Sequence, residues 1–140
     1  MAESKDVIFP KLRVYVQPRE RTLVNLETIV YTDDKGVTTV PVRVAGFAVV
    51  VTAVPVSYTW HFGDGASRTT ESAGKPYPSQ EITHRYMKRG DVRLSVTVNY
   101  DARFEVEDLG PQFIGTVPIT GPATPLQVRE AVPVLVEPPR

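Results

Sequence analysis

From Asp91 to Tyr100 the chain alternates without a break: Val92, Leu94, Val96 and Val98 on one side, Arg93, Ser95, Thr97 and Asn99 on the other. Successive side chains of a strand point to opposite faces, so this period of two belongs to a sheet with one packed face and one wet face. The same period recurs near the start, where Leu12, Val14 and Val16 alternate with Arg13, Tyr15 and Gln17. Thirteen prolines and nine glycines divide the 140 residues, and valine dominates the apolar residues. Proline interrupts helices and β-branched side chains suit a pleated surface, so the composition favours strands throughout. The chain is long enough for one domain with a real core.

The breaks predict the rest of the order. Pro18 and Arg19-Glu20-Arg21 end the first strand, and Leu23 to Tyr31 reads as the second. Asp33-Asp34-Lys35-Gly36 is a turn signal, predicting a hairpin around Asp34 to Gly36 with Val37 to Val44 returning. Val42 to Val54 is apolar on both alternating sides around Phe47 to Val51, which predicts a central strand covered on both faces. Gly46 within it marks a bulge or a close backbone approach. Pro55-Val56 breaks it, and Ser57 to Phe62 begins the next strand. Ala66 to Gln80 is polar, without periodicity, and reads as a long surface loop. Ile82 to Tyr86 is a short strand. Phe104 to Val106 and Gln112 to Val117 predict a further hairpin, Gly121-Pro122 a break, and Leu126 to about Val132 a last strand. Short strands with turns every 8–12 residues or so point to a β-sandwich. The predicted organisation is an N-terminal extension over residues 1–37, a sandwich over 38–132 and a proline-rich extended tail over 133–140.

One segment is more specific. Tyr58-x-Trp60-His61-Phe62-Gly63-Asp64-Gly65, followed by His84-x-Tyr86, Gly90 and Leu94-x-Val96-x-Val98, resembles the PKD domain, an immunoglobulin-like antiparallel β-sandwich. The resemblance covers roughly residues 38–130. His61 stands where the family motif carries an aspartate, Val92 where an aromatic is common, and the 66–80 loop is long. Trp60 is large enough to fill the space between two sheets, with Phe62 extending that core. Gly63 and Gly65 open backbone angles closed to other residues, and Asp64 can accept hydrogen bonds from turn N–H groups. His84 and Tyr86 can tie a loop to a strand by their polar tips. The resemblance implies a non-catalytic extracellular or cell-surface module for protein–protein contact or spacing. The polar start, Met1 to Asp6, has no signal-peptide core, so that setting makes the chain a mature fragment.

Other chemistries are weakly supported. Sixteen basic residues balance sixteen acidic ones, which leaves no electrostatic footprint for nucleic acid. No apolar run reaches the ~18 residues of a membrane-spanning helix. There is no cysteine, hence no disulfide, thiolate metal site or cysteine nucleophile. A zinc site would need His61 and His84 with Asp64 or Glu81, and nothing in their spacing makes them converge. Asp33, Asp34 and Asp64 read as turn residues rather than calcium ligands. No nucleophile, metalloprotease or phosphate-loop motif is present, so neither an enzyme nor a cofactor is expected. Candidate interaction residues remain: Tyr77, Tyr100 and Phe104, which could stack on a glycan or dock a partner, and the apolar ends, with Val134 and Val136. Those ends, Val7-Ile8-Phe9 and Val132 to Val136, could pair with another subunit in a surface filament or particle, or lie at an edge of their own domain.

Overall fold

A computed structural model describes residues 9–107 and 109–131, and every regular element in that span is a strand. In chain order these are β1 (Tyr15–Gln17), β2 (Arg21–Leu23), β3 (Thr28–Tyr31), β4 (Thr38–Val44), β5 (Phe47–His61), β6 (Ser67–Thr70), β7 (Thr83–His84), β8 (Gly90–Val106), β9 (Gly110–Thr120) and β10 (Thr124–Arg129). The smaller sheet has the order β1-β3-β7. The larger runs β2-β10-β8-β5-β4, with β6 on the far half of β5 and β9 on the far half of β8. All neighbours are antiparallel except β10 and β2.

Alternation in β8 explains the core. Leu94, Val96, Val98, Tyr100 and Ala102 are buried on one face, in one core with Trp60 and Tyr58 of β5, Val16 and Val30 of the smaller sheet, and Val14 just before β1. The strand does not stop at Tyr100 as expected. Arg103 and Glu105 keep the polar side polar and Phe104 and Val106 keep the other apolar, so the ladder continues to Val106.

Local chemistry and strand pairing disagree in four places. The stretch expected as one strand from Leu23 to Tyr31 is two, because Asn25 turns the chain at positive φ (66°) and sends β2 and β3 to different sheets. The expected hairpin around Asp34 to Gly36 is a crossing between sheets. Gly36 N–H does donate to Asp34 Oδ1 (3.3 Å), but β3 pairs with β1 and β7 while β4 pairs with β5. The apolar run Val42 to Val54 is not one covered strand. Ala45 and Gly46 (φ 52° and 84°) make a two-residue hairpin between β4 and β5, the geometry a tight hairpin requires. The bulge lies instead at Pro55–Ser57, where a proline has no N–H for the ladder. Finally, the 66–80 stretch contains β6, which pairs with the Tyr58–His61 end of β5.

β5 and β8 are long, and burial fades along them. Ala53 and Ala102 are fully buried, whereas Phe104 and Val106 are half-buried and Phe47 is open. Beyond Pro55 and Tyr100 these strands form an arm with β4 and β9 at its edges. The strands β1 and β3, from the segment expected as an extension, supply two of the three strands of the smaller sheet. Val7-Ile8, Val134, Val136 and the 133–140 tail lie outside the described residues.

Candidate functional site

At the end of β5 the chain turns through Gly63-Asp64-Gly65, and five interactions lock that turn. Ala66 N–H donates to Asp64 Oδ1 (3.0 Å), and the other carboxylate oxygen lies 2.7 Å from His84 Nε2. The His84 ring lies parallel on Phe62, with centroids 3.9 Å apart, and Tyr86 meets it edge-on at 4.7 Å. The Tyr86 hydroxyl donates to the Phe62 carbonyl (2.7 Å), and burial pushes its pKa well up. His84 and Tyr86 thus hold the loop before β8 against the turn after β5. Gly90 opens β8 at φ 145°.

The charge in this clamp has a consequence. Burial alone would raise the Asp64 pKa, but the hydrogen bonds from His84 and Ala66 outweigh it and the carboxyl sits below its ordinary value. A depressed carboxyl stabilises the fold fully above the unfolded-state pKa of about 3.9, and the contribution is lost as pH falls through the lower folded value. Asp64→Asn should therefore lower the denaturation midpoint near pH 5, with the gap to the parent closing as pH drops towards about 2. A gap that stays constant over that range contradicts a stabilising carboxylate.

The remaining candidates separate. His61 alternates onto the outer face, where its Nε2 meets Thr97 Oγ1 at 2.9 Å, so it does not join His84 and Asp64. Glu81 bonds the Ser72 hydroxyl. Among the described residues no three histidine, aspartate or glutamate side chains gather as metal ligands. Tyr100, expected on the surface, is a core residue at 1 % exposure. Its ring packs on Phe9 and its hydroxyl donates to the Pro10 carbonyl (2.8 Å), because position 100 shares the parity of Leu94 to Val98. Burial pushes its pKa up to about 12. Tyr58 is buried as well. Tyr77 is 70 % exposed.

Phe104 belongs to a surface that the sequence reading missed. The registers Val44↔Phe47, Val42↔Val49↔Val106 and Val51↔Phe104 set these side chains in cross-strand rows on one face of the arm. They line a shallow, wholly apolar depression whose rim stays open, with Val44 at 58 % and Phe47 at 55 % exposure. The opposite face carries Arg43, Asp101, Arg103 and Glu105. The Ala45-Gly46 pair was the signal: read as a hairpin turn, it places Val42 and Val44 beside Phe47 and Val49.

Two antiparallel-dominated sheets, a buried tryptophan between them and a clamp at the Gly-Asp-Gly turn define an immunoglobulin-like β-sandwich module. The sequence profile of the PKD domain matches residues 31–103, just over half of the chain, and the chain belongs to that family. PKD domains are non-catalytic modules, often extracellular, that take part in protein interactions. No curated protein matches the chain. Among the described residues no helix is long and apolar enough to cross a membrane.

Proposed function

We propose that the chain is a non-catalytic contact module of the extracellular space or cell surface, and that the apolar face of the arm is its docking surface. The observation that carries this reading is Phe47 and Val44 standing open on a face without a polar lining residue. Large exposed apolar surface is costly in water, and in soluble proteins such patches commonly mark contact sites.

The occupant we assign is a second copy of the chain. A two-fold contact must be complementary to itself, with residue i of one copy meeting residue j of the other and j meeting i; an apolar face without a charged group meets that condition in any register. Three strands about 4.8 Å apart and three cross-strand rows give roughly 300 Å² of face. That is well below the ~800 Å² per partner of a stable complex, so the contact is a weak one. Light scattering over rising concentration should show reversible dimerisation in the parent chain and a monomer in Phe47→Asp, with unchanged circular dichroism. A parent chain that stays monomeric at about 1 mM, or a Phe47→Asp variant that still dimerises, overturns it. An arm that takes only a different protein would show the first result.

A further inference from the structure

The lead into β1 lies along β8, and its contacts give its direction. The Thr124 hydroxyl donates to the Val14 carbonyl (2.7 Å), and Thr124 pairs with Leu94 near the start of β8. Gly121 donates its N–H to the Val96 carbonyl (3.1 Å), and a Cβ on Gly121 would run into the Leu12 carbonyl. The Pro10 carbonyl takes the Tyr100 hydroxyl, and the Phe9 ring packs on the Tyr100 ring with centroids 5.6 Å apart. Followed from Val14 back to Phe9, the lead climbs β8 from Leu94 to Tyr100. Phe9, Leu12 and Val14 are all buried.

The next positions up that face belong to the arm. Ala102, Phe104 and Val106 keep the parity of Val98 and Tyr100. The irregularity at Pro55–Ser57 holds β5 in step, so Ala53, Val51 and Val49 stand opposite them. The apolar face of the arm is the buried face of the sandwich, carried past Phe9. Ala53 and Ala102 are covered, while Val51, Phe104 and Val106 are half-buried. Val7 and Ile8 precede Phe9, and Glu3-Ser4-Lys5-Asp6 before them is polar. Two extended residues advance about 6.6 Å, the same step that separates Tyr100 from Ala102.

We propose that residues 1–8 continue along this face, with Val7 and Ile8 against Val51 and Phe104 of their own chain, and so compete with the second copy. The competition rests on the self-association reading; the contact itself rests on the path of the lead. Two β-branched side chains extend the buried row that Phe9, Leu12 and Val14 begin. The polar residues before them end the cover short of Val44 and Phe47, which is where the face is most open. A tethered segment meets its site at an effective concentration of order mM, enough to rival a weak dimer. A face held by the lead nine-tenths of the time, to take a round figure, binds its partner about tenfold more weakly.

The test begins with NMR on the full chain at about 50 µM, where a contact of millimolar strength is almost wholly dissociated. Nuclear Overhauser contacts are expected from the Val7 and Ile8 methyls to the Phe104 ring and the Val51 methyls. Val7→Asp should shift the amides of Val51, Phe104 and Val106, and light scattering should find its dimer about tenfold tighter than the parent's. Val7→Ser should change both in the same direction, which separates the lost contact from the added charge. Absence of the Overhauser contacts, or arm amides that Val7→Asp leaves in place, overturns the proposal. So does a parent chain that dimerises as tightly as Val7→Asp. Contacts present in a chain that never dimerises uphold the placement of the lead and overturn only the self-association reading.

Discussion

Trp60→Ala will lower the unfolding free energy by about 3–5 kcal/mol, the cost of removing a large aromatic from a closed core. Trp60 is 1 % exposed, lies opposite Val96 in β8 and stacks against Tyr58 at 6.2 Å and 25°. Its indole N–H donates to Thr70 Oγ1 (2.8 Å), so the ring also fastens β6 to β5. The two contributions can be told apart. Trp60→Phe keeps most of the ring and loses the N–H donor, while the Thr70 hydroxyl still donates to the Ser72 carbonyl (2.8 Å). That variant should lose only about 1–2 kcal/mol. Trp60 is the single tryptophan, so the transition must be followed by far-ultraviolet circular dichroism rather than fluorescence. A loss below about 1 kcal/mol for Trp60→Ala would show that the ring does not fill the space between the sheets.

Trp60 was legible because an isolated tryptophan in an alternating, glycine-bounded run has few other uses. The same holds for the parity of Leu94 to Val98, which fixes a buried face from local sequence alone. Pairing was not legible, since it depends on residues far apart in the chain. Asp34 and Gly36 encode a turn correctly, yet nothing in that tetrapeptide says whether the next strand returns to the same sheet or crosses to the other. Tyr100 shows the same limit. It alternates with Val98 and is buried, but only the Pro10 carbonyl, 90 positions away, supplies the partner for its hydroxyl. The pairing of Tyr15 with Tyr31 was half visible: Tyr15 lies on the polar parity of its strand, while its alignment with Tyr31 is a property of the β1–β3 register. The arm's face was obscured because Val42 to Val54 reads as one apolar run until Ala45-Gly46 is taken as its turn.

The Gly-Asp-Gly turn offers a comparison in which two glycines two positions apart should behave differently. Both sit at positive φ, 87° for Gly63 and 92° for Gly65. An alanine at either pays the conformational cost of that region, about 1–2 kcal/mol. At Gly65 nothing lies within 4 Å of the added Cβ, so this is the whole effect. At Gly63 the Cβ would fall 2.6 Å from the Arg93 carbonyl oxygen and 2.8 Å from the Arg93 nitrogen. Those are backbone atoms of β8, held between β5 and β10, and they cannot swing aside as a side chain would. Relief requires the turn to lift away from β8. Lifting it pulls the Phe62 carbonyl from Tyr86 and Asp64 from His84, so the clamp is lost together with the fit. Gly63→Ala should therefore cost at least about 3 kcal/mol, roughly the conformational cost plus one buried hydrogen bond left unmade. Denaturation of the two variants side by side decides it: equal losses would mean that the close approach of the turn to Arg93 contributes nothing, and that the motif's first glycine is there for its φ alone.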